Sequence, residues 1–207
     1  MFKLLRNKKV MRVVVAFVAF SFLGGFVGSY ALRSLGQVGQ SEAQENDFAD
    51  ELDNAISSYE GDIEYYQNAT VAEPENVDNY ILLADSYYNL ANLRNSYKGE
   101  DVSDYLTVAK DNYQKALELD DSRVNLLLSI GMLETALNNY ADAADYYETF
   151  LEQYPDSFEA NALYTQLLVV SDELSEAKDW LEKTRDLATS EEDQQVVEQL
   201  EGMVNPS

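Results

Sequence analysis

Apolar residues return every three or four positions between Phe48 and Tyr66, at Phe48, Leu52, Ile56, Tyr59, Ile63 and Tyr66. That period places all six on one face of an α-helix. The Glu73-Pro74 step predicts its end, because a residue ahead of proline avoids the α region. The same helical spacing continues almost to the C-terminus. The stretch from Arg33 to about Asn46, RSLGQVGQSEAQEN, has no apolar period and is rich in Gly, Ser and Gln, so it predicts a flexible tether. Upstream, residues 13–32 read VVVAFVAFSFLGGFVGSYAL, 20 residues without a charge. A bilayer core of ~30 Å is crossed by about 20 apolar residues in helical form, so this segment predicts a transmembrane helix.

The helical part carries an internal register. When Val124 is counted as position 1, Gly131 falls at position 8 and Ala143 at position 20. Both are small, which lets two helices of one unit approach each other. Tyr147 at position 24 and Phe150 at position 27 are large enough to fill the space between units, and Pro155 at position 32 stops the second helix. A step of about 34 residues, the length of a helix–turn–helix repeat, leads to Phe158. From there Tyr164, Ala177 and Leu181 take positions 7, 20 and 24, with Trp180 at position 23 and Thr165 in the small position 8. Asp156 and Glu159 are spaced as a capping box for the first helix of this unit. A backward step aligns Tyr80, Leu83, Ala84 and Tyr87, and then Ala109, Tyr113 and Ala116, with an interval 13 residues too long between the two groups. The spacing predicts an extended hairpin with a break at Tyr97–Asp101, where Gly99 supplies the turn. Such a hairpin would project as a docking feature. Tyr59–Pro74 fits the second helix of a degenerate earlier unit, and Ser190 caps a last amphipathic helix with Val196, Val197 and Leu200 facing inward.

On these positions, residues 59–189 resemble the tetratricopeptide-repeat superfamily. The resemblance implies an all-α solenoid of about three repeats, near 77–121, 122–155 and 156–189, with a capping helix at 190–204. The helical domain as a whole spans 47–207. In layout the chain is similar to single-span, membrane-anchored repeat proteins of bacterial cell envelopes. The implied function is a protein–protein interaction scaffold on the extracytoplasmic side of the cytoplasmic membrane. The alternative is a structural subunit or chaperone-like accessory of a membrane complex such as a secretion translocon.

Charge orients the chain. Lys3, Arg6, Lys8, Lys9 and Arg12 precede the apolar segment and no acid does, so the 12 N-terminal residues are expected in the cytoplasm and everything beyond Arg33 across the membrane. Ser29-Tyr30-Ala31 also reads as a small-x-small cleavage site, which would make the segment a signal peptide instead. Gly24 and Gly28 form a Gly-x-x-x-Gly pair of the kind that packs membrane helices. The formal net charge is −24, and beyond residue 12 only 9 basic residues face 38 acidic ones. Such a surface repels nucleic acid and anionic lipid. With no Cys and no His, disulfides, thiolate or imidazole metal sites and the commonest nucleophile–base pairs are excluded.

No phosphate loop, nucleophile elbow or metal signature is present, and the adjacent acids Asp120-Asp121 and Glu191-Glu192 point about 100° apart on a helix, so neither an enzyme, a cofactor nor a small-molecule substrate is expected. The resemblance implies that the first helix of each repeat lines a concave face. Its exposed positions hold Asp85, Tyr88 and Asn89 in the first repeat, Asn125, Leu128 and Met132 in the second, and Glu159, Gln166 and Val169 in the third. These mix apolar contacts with amides able to bond a peptide backbone. None is Lys or Arg, and Asp85 and Glu159 would repel an acidic tail, so the expected partner is a neutral or basic peptide or protein. The 15 tyrosines include the pairs Tyr65-Tyr66, Tyr87-Tyr88 and Tyr146-Tyr147, in which one member can fill the core while the other points outward.

Overall fold

The computed structural model describes residues 42–205, with side chains from Asp50 onward. The basic segment, the apolar segment 13–32 and most of the tether lie outside the described residues. Among the described residues every regular element is helical, and no helix is long and apolar enough to cross a membrane. They form two compact units divided between Arg123 and Val124.

The first unit contains α1 (Glu42–Ala72), α2 (Val77–Leu93), a π-helical turn (Arg94–Lys98) and α3 (Ser103–Leu119). α1 is one continuous helix of 31 residues. It starts at Glu42, so residues 42–46 are helical and the expected tether ends earlier. Glu, Ala and Gln are good helix formers, and acids in a first turn complement the helix dipole. Tyr59–Pro74 is the C-terminal half of this helix rather than a separate element, and the helix stops before Pro74 as its sequence predicts. Leu52, Ile56, Tyr59, Ile63 and Tyr66 pack with Leu83, Tyr87, Leu90 and Leu93 of α2 and Tyr105 of α3.

The extended hairpin exists, and its tip is tied down instead of projecting. Gly99 adopts φ +64°, the left-handed region where a side chain is disfavoured, and its N–H donates to the Asn95 carbonyl at 3.0 Å. The half-buried Arg94 guanidinium donates to Glu60 of α1 at 2.6 Å and to Glu100 at 3.0 Å, and it lies 5.3 Å from the Tyr105 ring centroid. Lys98 reaches Asp53 of α1 at 3.1 Å. Exposed pairs of this kind contribute at most about 1 kcal/mol each. Their effect here is geometric, since two cations of the tip meet α1 two turns apart.

The second unit contains α4 (Leu126–Ala136), α5 (Tyr140–Gln153), α6 (Phe158–Val170), α7 (Leu174–Leu187) and α8 (Glu191–Val204). α4 pairs with α5 and α6 with α7, and the turns between them repeat one geometry. Asn138 and Asp172 both have positive φ, 64° and 74°. The next N–H in each turn, of Asn139 or Glu173, donates at 2.8 Å to a carbonyl, of Glu134 or Leu168. In α4–α5 the small position meets the large one. A Cβ built on Gly131 would lie 2.6 Å from Tyr147 Cε1, and Tyr147 is 1 % exposed. In α6–α7 the buried Thr165 and Thr184 face each other with hydroxyl oxygens 3.1 Å apart, a polar contact where the other hairpin has a glycine under a ring.

α6 is capped by Ser157, whose hydroxyl accepts from the Ala160 N–H at 3.3 Å, so the expected Asp156–Glu159 box does not form. The hydroxyl one residue closer to the helix meets the amide that the carboxylate of Asp156 would have to reach across a turn. α8 does carry a full capping box between Ser190 and Asp193, and it buries Val196, Val197, Leu200 and Val204. The tyrosine pairs divide less sharply than core against surface, with Tyr88 and Tyr147 buried, Tyr87 and Tyr146 half-buried, and Tyr65 exposed beside a half-buried Tyr66.

Gly131→Ala tests the close approach. The added methyl overpacks a buried ring at a cost of about 1–3 kcal/mol, while the helix propensity gain is about 1 kcal/mol. The expected result is a net loss of about 1 kcal/mol in chemical denaturation; an unchanged or raised midpoint would show that Tyr147 yields.

Candidate interaction faces

The nine residues read from the sequence as a binding face separate into two classes. Asp85, Asn89 and Val169 are half-buried, and Asn125 and Glu159 are exposed. Tyr88, Leu128, Met132 and Gln166 are closed off from solvent, each at 9 % exposure or less. Burial of Leu128 and Met132 follows from their apolar area, each large aliphatic side chain contributing about 1.5–3 kcal/mol when removed from water. The other five reach solvent.

Within each unit the register is as read. Asp85, Tyr88 and Asn89 occupy adjacent turns of α2, Leu128 and Met132 are one turn apart on α4, and Glu159, Gln166 and Val169 run along α6. Asn125 stands at the N-terminus of α4, where its carbonyl accepts from the Leu128 N–H at 3.1 Å and the Ser129 N–H at 3.4 Å.

The chemistry of the α2 site centres on Asp85. Its carboxylate accepts a short hydrogen bond from the hydroxyl of Tyr113 on α3. Burial raises the Asp85 pKa above the usual carboxylate range, and the Tyr113 bond offsets part of that rise. Burial likewise raises Tyr113, with the neighbouring Asp85 charge adding to it. Tyr88 is pushed up to about 12 by burial, against a hydrogen bond with Asn92. Tyr113 was legible only as a core residue. Its pairing with Asp85, 28 residues away, depends on how α3 returns against α2, and no local signal carries it.

In the second unit, Tyr147, Tyr164 and Trp180 form a run of edge-on rings, with centroids 6.4 and 4.6 Å apart. The Tyr164 hydroxyl donates to Glu148 at 2.7 Å, and the Lys183 ammonium sits 4.5 Å from the Trp180 centroid. Burial raises the Tyr164 pKa first, and the carboxylates of Glu148, Glu176 and Glu173 add to the rise. Acid and aromatic groups thus share one edge of α5–α7, which suits contact with cationic groups.

Residues 134–197 match the family model of the tetratricopeptide repeat. Similar solved structures include two of MamA. One is 17 % identical, with 63 % of this chain and 83 % of that chain covered and a TM-score of 0.39. The other is 16 % identical, with 72 % and 96 % covered and the same TM-score, 0.39. Yeast Tom70 is 20 % identical, with 82 % of this chain and 44 % of that chain covered and a TM-score of 0.42. A comparison with curated protein sequences gives no match.

Asp85→Asn tests the electrostatics. A carboxyl whose pKa is raised by folding holds its proton more tightly folded than unfolded, so its contribution to stability grows as pH falls and is lost as pH climbs through the raised pKa. At neutral pH the buried charge is therefore a cost. Asp85→Asn keeps an acceptor for Tyr113 and removes that charge, and it is expected to stabilise the protein by about 1 kcal/mol at pH 7. The advantage should shrink as pH is lowered, and destabilisation at pH 7 would contradict the reading.

Proposed function

We propose that the chain is a protein–protein interaction scaffold, anchored by residues 13–32 in a cytoplasmic membrane, whose repeats hold a neutral or basic peptide or protein on the extracytoplasmic side. The observation that carries this reading is the repeated hairpin of the second unit, whose turns at Asn138 and Asp172 and paired helices follow the tetratricopeptide pattern. Repeats of this kind use the surface formed by successive units to bind other proteins. The acidity of the described part supports a neutral or basic partner, and the uncharged apolar run flanked by Lys and Arg supports the anchor.

Asn125 and Val169 are the positions from which to test capture, because they reach solvent while Met132 and Tyr88 do not. A photo-cross-linking side chain at either position in the full-length protein, expressed in cells, is expected to trap one discrete partner that the same side chain at Glu182, exposed on α7, does not trap. Equal trapping from all three positions, or none from Asn125 and Val169, rejects the inner-face reading. The anchor is tested by fractionation. The full chain should sediment with membranes through an alkaline carbonate wash and a chain lacking 13–32 should not; release of the full chain by that wash rejects it.

A further inference from the structure

Asp85 is a half-buried carboxylate with no cation against it among the described residues. Its hydrogen-bond partner among the described residues is the neutral Tyr113 hydroxyl, which donates to Oδ1. Four cations of the same unit are held by other carboxylates. Arg94 is held by Glu60 and Glu100, Lys98 by Asp53, Lys115 by Glu118, and Arg123 by Asp78 and Asp120. Tyr113 is 6 % exposed and presents its hydroxyl to the carboxylate in a fixed direction. Asn89, one turn along α2 and half-buried, adds an amide beside it.

A carboxylate in this state is a poor contributor to stability and a good receptor. Taking a charge partly out of water costs free energy unless an opposite charge is supplied. The cost of removing Asp85 from water has already been met on folding, and an arriving cation recovers part of it. Charge-assisted hydrogen bonds to such a group are also about twice as strong as neutral ones. We propose that Asp85, oriented by Tyr113, is the receptor for a lysine or arginine side chain of the bound partner. This inference rests on the scaffold reading above and assigns one residue the choice of a basic partner over a neutral one.

The test uses the full-length protein in detergent micelles at about physiological salt, where long-range attraction to the acidic surface is screened. The probe is a capped nonapeptide of alternating lysine and alanine, compared with the same peptide carbamylated at every lysine, and binding is read by calorimetry. Asp85→Asn is expected to weaken binding of the lysine peptide about tenfold, the loss of one charge-assisted bond, and to leave the carbamylated peptide unchanged. Asp111→Asn, which removes an exposed carboxylate from α3 of the same unit, should change neither by more than about twofold. An equal loss in both variants would show general acidity rather than a receptor and overturn the proposal. So would a lysine peptide bound no better than its carbamylated twin, or not bound at all. None of these outcomes touches the scaffold reading, which stands or falls on cross-linking from Asn125 and Val169.

Discussion

The α4–α5 hairpin depends on one close approach, the Tyr147 ring lying over a helix position that has no side chain. Interiors are packed to crystal density, so a ring seated on bare backbone sets the distance between two helices more firmly than several looser contacts. The next hairpin solves the same problem with other chemistry. Thr165 and Thr184 are both fully buried, and each hydroxyl lies within hydrogen-bond reach of the other and of a carbonyl of its own helix. A buried hydroxyl without such a partner would cost about 1–3 kcal/mol. The two pairs therefore hold their hairpins for different reasons, packing volume in one and polar satisfaction in the other.

The first unit is governed more by where its few cations go. In a strongly acidic chain each Lys or Arg is a scarce counter-charge, and most of those in this unit are used to join helices. Arg94 and Lys98 fasten the hairpin tip to α1, and Arg123 joins the end of α3 to Asp78 in the first turn of α2. The π-helical turn lets this happen. Arg94 and Lys98 are its first and last residues, just before Gly99 reverses the chain. An insertion that looks like a free arm in sequence thus becomes a closed element. Against that economy, the half-buried Asp85, bonded by Tyr113 and by no cation among the described residues, is an exception.

Much was legible in advance. The small and large positions at Gly131, Ala143, Tyr147 and Phe150 are buried where the register put them, the last helix is capped at Ser190, and within each tyrosine pair one member is more buried than the other. These follow from side-chain size and helical period, which are local properties. The misreadings share a different origin. The cap of α6 moved from Asp156 to Ser157, because one hydroxyl reaches the free amide better than a carboxylate one residue further away. The tether was read too long, since polar residues such as Glu42–Asn46 are compatible with either a coil or the first turn of a long helix. Tyr88, Leu128, Met132 and Gln166 sit on the helix face assigned to a partner and are closed off all the same.

The sequence by itself determined the helical class, the 34-residue step, the hairpin boundaries and the sign of the surface, because periodicity, side-chain volume and charge are carried by each residue wherever it is placed. The tertiary structure alone decided that Tyr113 hydrogen-bonds Asp85, that Arg94 pins the hairpin tip to Glu60, that Thr165 answers Thr184, and which of the nine candidate positions reach solvent. Each of these is a contact between residues far apart in the chain. Its existence depends on the angle and distance at which two helices meet, and no local pattern encodes either one.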